Sequence, residues 1–376
     1  MYVRDRTAIV AALTAALACE SIFAQETPDL SRPGVHPQIA TAGVYDDNVL
    51  WTPSGGSDFV WRVSPEIRAE RKTAKVLVHS LWNMDAERFQ EHSDLTTPLA
   101  RLTTSLDLIV RATARTAVEA GGGYQRTATP VDLNDGTGLA AVRTRASVWH
   151  GAAEIVSALN SLTRLGGRHE FSRQSIKNGL TTQTYLGEVW LSRQVGRRDE
   201  IQARAGAMVF DPGAAVQSET VLVGWTRRFS EKTTAGVRGG PRYTLGSFRP
   251  ELAANIVRRM HLGHASLSYV ATQAVAVGFP ELVDVQRAEA EVTYRSPKNL
   301  EATLQGAAHL NTIGTNDVYV YRLSASIGRP IVRTISVSIG YDAYFQRGSF
   351  GQHSPGASLA RTGISLQVMA HPPRSQ

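Results

Sequence analysis

The chain has 376 residues, a formal net charge of +7 and one cysteine. It has no run of about 18 or more apolar residues, which excludes a membrane-spanning helix, and one cysteine leaves no disulfide framework. The arginines are scattered along the chain with no basic cluster interleaved with aromatics, which argues against nucleic-acid binding.

The N-terminus reads as an export signal. Arg4 and Arg6 form a positive start, Thr7 to Ala18 an apolar run, and Ile22-Phe23-Ala24 a cleavage site before Gln25. Residues 1–24 are therefore expected to be removed. A competing reading lipidates Cys19, with Ala16-Leu17-Ala18-Cys19 as a loose lipobox. Residues 25–36 form a Pro-containing arm, expected in the periplasm.

From residue 37 onward the dominant pattern is alternation with a period of two, the mark of a strand with two different faces. In Phe59 to Glu70, one face carries Phe59, Trp61, Val63, Pro65, Ile67 and Ala69. The other carries Val60, Arg62, Ser64, Glu66, Arg68 and Glu70. A helix would scatter both sets around its circumference. The pattern recurs at 101–111, 201–209, 287–294, 319–327, 335–345 and 360–368. It is blurred by Gly121-Gly122-Gly123, and Val76 to Glu87 reads in either register.

Tight turns fall near 71–73, 112–115, 160–161, 196–198, 230–232, 258–261, 296–299 and 328–330. Longer polar loops fall near 47–57, 88–97, 127–138, 174–180, 212–217, 240–249, 274–280, 312–316 and 346–356, with the longest spanning only about ten to twelve residues. Short and long connections in alternation, with strands of about ten or more residues, predict a transmembrane antiparallel up-and-down β-barrel in the bacterial outer membrane. The count is about 18 strands over residues 37–370, with 16 as the alternative. Residues 371–376 form a tail, and the last strand lacks the terminal aromatic that barrel-assembly machinery reads in many such proteins. Lipid and that machinery are the expected partners.

An aqueous lumen permits charge in mid-strand. Arg62, Glu66, Arg68, Arg101, Asp107, Arg111, Arg204, Arg287, Glu289, Glu291, Arg322, Asp342 and Arg361 fall on polar faces and are candidate lumen-lining selectivity residues. Rings of arginine favour anions and mixed rings are weakly selective. The bland alternative is that they hydrate and brace the wall. The chain contains no Gly-x-Ser-x-Gly elbow and no metal-spaced histidine pair, so no catalytic residue, metal or cofactor is assigned. Tyr45-Asp46-Asp47-Asn48 has oxygen ligands suited to calcium but lacks the glycine turn and distal glutamate of a calcium loop, and reads as a first-loop turn.

The segment Ala42-Gly43-Val44-Tyr45-Asp46-Asp47-Asn48-Val49-Leu50, followed by the aromatic–aliphatic run Phe59 to Pro65, resembles the first two strands of a family of outer-membrane β-barrel porins associated with exopolysaccharide export. The resemblance implies a conduit for an exopolysaccharide or capsular polysaccharide, paired with a periplasmic polysaccharide export protein and supplying no chemistry. A general diffusion porin for small anionic solutes is the alternative reading. An outer-membrane enzyme or structural barrel is a third.

Overall fold

A computed structural model describes residues 34–140, 143–314, 316–348 and 358–372. The expected signal segment with its Cys19 alternative, residues 25–33 of the arm and residues 373–376 of the tail lie outside the described residues. Eighteen strands form one sheet: β1 (Gly34–Asp46), β2 (Asp58–Lys72), β3 (Val76–Phe89), β4 (Thr97–Arg111), β5 (Thr116–Thr127), β6 (Ala146–Ala158), β7 (Thr163–Ile176), β8 (Thr181–Gln194), β9 (Asp199–Asp211), β10 (Val216–Arg228), β11 (Thr233–Thr244), β12 (Ser247–Met260), β13 (Gly263–Val275), β14 (Leu282–Arg295), β15 (Glu301–Ile313), β16 (Asn316–Val332), β17 (Ile335–Arg347) and β18 (Ser358–Ala370).

Each strand pairs antiparallel with its sequence neighbours. Ile39–Asp46 of β1 then pairs with Gly363–Ala370 of β18, which closes the ring. Closure leaves no sheet edge, the condition for a sheet to cross lipid. The 18-strand reading holds and the 16-strand alternative falls.

Registers fix which face each residue takes. Trp61 pairs with Gly43 on one side and Arg88 on the other, whereas Arg62 pairs with Ala42 and Glu87. One parity in each strand carries exposed apolar side chains: Trp61 and Ile67 on β2, Val189 and Leu191 on β8, Val221 and Val223 on β10, Leu304 on β15, Ile364 and Leu366 on β18. Large hydrophobics exposed around a closed ring form a belt that only lipid can cover. The protein is therefore an outer-membrane barrel.

The opposite parity faces the lumen. The ambiguous strand resolves here, with Trp82 on the lipid side opposite Ile67 and with Asp85 and Glu87 inward. Gly121 to Gly123 lie mid-strand in β5, paired on both sides.

Three boundaries differ from expectation. β1 begins at Gly34, so the arm's last residues already pair with β2. Pro37 is tolerated because pairing with β18 starts only at Ile39, leaving an open side for a missing N–H. The expected loop 240–249 shrinks to Leu245-Gly246, since both strands run through the glycine and proline positions. Gly240 belongs there because a Cβ would lie 2.0 Å from the carbonyl oxygen of Val221. In the other direction, the loop expected at 127–138 extends over residues 128–145 and is the longest connection.

Two outcomes test the assignment of faces. Brominated lipids should quench Trp61, Trp82, Trp149 and Trp225, each exposed on the lipid parity, and spare Trp51, which is buried, and Trp190, whose ring covers Gly166 on the lumen side. Val223→Arg, near mid-belt, should cost about 2–4 kcal/mol in barrel unfolding from lipid, read from denaturant titration in vesicles.

Candidate functional site

The site is the lumen, and the segment that shapes it is the connection between β5 and β6. Pro130–Leu133 forms a 3₁₀ turn with proline in its first turn, where a missing N–H costs nothing. Val131, Leu139 and Ala140 are buried in an apolar cluster with Trp51, Phe279, Val283, Val285, Val318, Val320, Tyr344 and Leu359. These partners lie on β14, β16, β17 and β18, on the β13–β14 loop (Phe279) and on the β1–β2 loop (Trp51), whereas the segment leaves from β5. In a ring of 18, β5 and β14 are nine steps apart, which makes them opposite walls. The loop crosses the barrel interior and docks on the far side.

Hydrogen bonds hold it there. Asn134 accepts from the Val277 N–H at 2.6 Å and donates to the Leu139 carbonyl at 2.9 Å. Asn311 on β15 donates to the Thr137 carbonyl at 2.9 Å. The Tyr344 hydroxyl accepts from the Ala140 N–H at 3.0 Å and lies 3.0 Å from the Gly138 carbonyl oxygen. Gly138 has φ +66°, and a Cβ there would meet both His309 and Val320 at 3.2 Å, so backbone and wall come as close as glycine allows.

Charge completes the clamp. Asp132 is 2.6 Å from Arg101 on β4 and accepts from Thr127 at 3.0 Å. Asp135 is 3.4 Å from Arg322 on β16, and its carbonyl lies 3.4 Å from an Arg287 nitrogen. Arg143, on the returning limb, reaches Glu87 at 3.2 Å and the Val49 carbonyl at 3.2 Å, over the ring of Phe89. Burial pushes the Asp132 carboxyl up, but the Arg101 charge and its hydrogen bond, together with Thr127, outweigh this and hold it below the usual range. For Asp135 burial wins, and the carboxyl stays above the usual range because Arg322 offsets only part of the cost.

All thirteen sequence-derived charges fall on the lumen parity, but they do not form one constellation. Arg62 pairs with Glu87 at 2.7 Å, Arg204 with Glu188 at 3.0 Å, Arg287 with Glu289 at 3.5 Å and Glu291 with His264 at 3.2 Å. Glu66 and Arg68 are bonded to each other. Asp107 lies 3.8 Å from His79, and Arg111 ends β4 at the short-turn rim. Asp342 on β17 stands between the strands that carry Arg322 and Arg361.

Arg361 binds Asp46 at 2.7 Å and lies 4.5 Å from the Trp51 ring centre. That contact gives the Tyr45-Asp46-Asp47-Asn48 motif its structural role. Asp47 accepts from the Thr362 N–H at 2.6 Å, and Asn48 donates to the Ala360 carbonyl at 2.9 Å. Asp46, Asp47 and Asn48 thus stitch β1 to β18, while Tyr45 faces lipid and is exposed.

Asp132, Asn134, Asp135, Asn311 and Tyr344 escaped the sequence reading. The available signal was an apolar patch, Leu139-Ala140-Ala141-Val142, directly after the turn formers Asn134-Asp135-Gly136. Apolar residues in a long loop need a surface to bury against.

No protein-family model matches the chain, and no curated protein matches it. Among solved structures it is similar to OccK3 (OpdO) of Pseudomonas aeruginosa, at 11% identity over 90% of this chain and 96% of that one, with a TM-score of 0.48. It is also similar to OccAB4 of Acinetobacter baumannii, at 9% identity over 92% and 100% of the two chains, with a TM-score of 0.47. A third is OccK2 (OpdF) of Pseudomonas aeruginosa in complex with glucuronate, at 7% identity over 90% and 98%, with a TM-score of 0.46.

The opposite shifts of the two loop carboxylates give docking a two-limbed pH dependence. Asp135, raised in the docked state, strengthens docking as pH falls through its folded value. Asp132, lowered in the docked state, contributes docking that is present above the free carboxylate value of about 3.9 and lost as pH falls through its folded value. A fluorophore on Gly136→Cys should report tightening on mild acidification and release below about pH 4. In Asp132→Asn the release limb should be missing.

Proposed function

We propose that the barrel is a diffusion channel for small, anionic solutes. The observation that carries this reading is the loop spanning the lumen. Apart from Arg145, whose carbonyl accepts from the Lys177 N–H where the loop rejoins the sheet at β6, the bonds and apolar contacts found for the described residues of the β5–β6 connection go to β3, β4, the β1–β2 loop and the β14–β18 side with its β13–β14 loop. The open path therefore runs along the β7–β12 wall.

Arg168, Arg204 and Arg238 project from alternate strands of that wall, on the lumen parity. Gly206 and Gly224 leave the backbone bare on the same parity. Arg204 is held by Glu188, while Arg238 has no carboxylate within ion-pair distance among the described residues. A guanidinium without a carboxylate partner beside a water path favours anions.

The polysaccharide conduit implied by the first-strand resemblance needs a cross-section for a hydrated chain, and a loop docked across the interior favours the small-solute reading. In this reading the protein positions charge and supplies no bond chemistry.

Planar-bilayer recordings test it. Wild type should give a reversal potential displaced toward the anion in a salt gradient, and Arg204→Glu/Arg238→Glu should shift it toward the cation. Replacing residues 131–140 by a short Gly-Ser linker should raise conductance several-fold. Vesicles that let long oligosaccharides through the wild-type channel as readily as monosaccharides would overturn the small-solute assignment.

A further inference from the structure

The lipid-facing columns end differently at the two rims. At the long-loop rim they end in aromatics, in contact along one strand, as Phe59 with Trp61, or across two, as Tyr124 with Trp149, Phe171 with Tyr185 and Tyr243 with Phe248. These are the interfacial rings expected of a membrane barrel.

At the short-turn rim, β8, β10, β12 and β16 share another ending. Their outward columns read Leu191-Arg193-Val195, Trp225-Arg227-Phe229 and Ile256-Arg258-Met260, taking every second residue, and Ile327-Arg329 followed by Ile331 at a bulge. All twelve residues are exposed. The flanking side chains are far from marginal: Val195 is 55% exposed, Phe229 50% and Ile331 62%.

Two facts in this repeat point to one ligand. The apolar residue beyond each arginine sits in or beside a turn, where contact with bulk water would be unfavourable, so the membrane interface extends past the arginine. The arginine itself stands about 7 Å along the strand from the last apolar belt residue, which is headgroup depth once strand tilt is allowed for. Arg227 lies 3.7 Å from Asp199 and 5.6 Å from the Phe229 ring centre. Arg193, Arg258 and Arg329 make no ion pair among the described residues. A guanidinium at that depth pairs bidentately with phosphate. A net negative headgroup satisfies it better than a zwitterionic one, whose own cation already balances the phosphate.

We propose that these four apolar–Arg–apolar endings form a collar of binding sites for the phosphate of anionic glycerophospholipids in the periplasmic leaflet. Short turns face the periplasm in barrels of this kind, which sets the leaflet. The long-loop rim relies on rings, and the short-turn rim relies on charge.

The test is lipid selectivity of the purified barrel in vesicles, measured with spin-labelled phosphatidylglycerol and phosphatidylcholine as competing probes. Wild type should favour phosphatidylglycerol by on the order of fivefold per site, with the preference collapsing at 1 M salt. The variant Arg193→Gln/Arg227→Gln/Arg258→Gln/Arg329→Gln should show near-equal binding of the two lipids. The control Lys72→Gln/Arg228→Gln/Lys232→Gln/Arg259→Gln removes as many charges from the same rim outside the outward columns and should keep the preference.

Equal affinity for both lipids in wild type overturns the proposal, as does a preference lost equally in variant and control. Should the variant fail to fold, the wild-type preference and its salt dependence decide alone. Soluble polyglutamate that binds wild type in phosphatidylcholine vesicles without any phosphatidylglycerol preference would assign the rim to an acidic protein instead.

Discussion

Everything in this molecule follows from the need to pair every backbone N–H and C=O where there is no water to do so. A sheet meets that need only by returning to its own first strand, so the join between β1 and β18 is where the fold is won or lost. The backbone ladder there is reinforced by an unusual density of side-chain bonds. Asp46 holds Arg361, Asp47 holds Thr362, and Asn48 reaches the Ala360 carbonyl across a sequence separation of 312 residues. Asn48 also accepts from the Thr52 N–H and donates to the Thr52 carbonyl, so the same side chain shapes the first loop and the seam.

Once the ring is closed, the two parities face different solvents, and the interior becomes a place where charges can be arranged at leisure. The arrangement is lopsided. One half of the wall, from β14 round to β4, is spent on holding the β5–β6 loop through an apolar cluster, a tyrosine hydroxyl, two asparagines and ion pairs at both ends of the loop. The other half keeps its arginines toward water. Net lumen charge alone would miss this, since most guanidinium groups on either half have a carboxylate close by. What differs is whether a loop stands in front of them.

Much of the architecture was legible because the barrel imposes the simplest periodicity a chain can carry. Phe59 to Glu70 declares both of its faces, and so does Ile335 to Phe345. Where glycine and proline interrupt, the reading failed in a consistent direction. Gly240-Pro241 looked like the start of a loop, yet both residues pair in β11, because crowding of Gly240 against Val221 selects glycine for reasons unrelated to turning. The loop that matters most was read too short, since its apolar end imitates the start of a strand. The roles of Asp46 and Asn48 were hidden for a different reason: their partners lie at the far end of the chain, and no local spacing carries that information.

The docked loop also fixes an order of events. Its wall partners, Asn311 on β15 and Tyr344 on β17, are synthesised long after residues 128–145, and the seam needs β18, which comes last. Until the C-terminal third is in place, Asn134 lacks its Val277 partner and Leu139 its apolar cover. A truncated chain would lack its edge partner and its interior brace together, so completion of the cylinder and filling of its bore are a single late step.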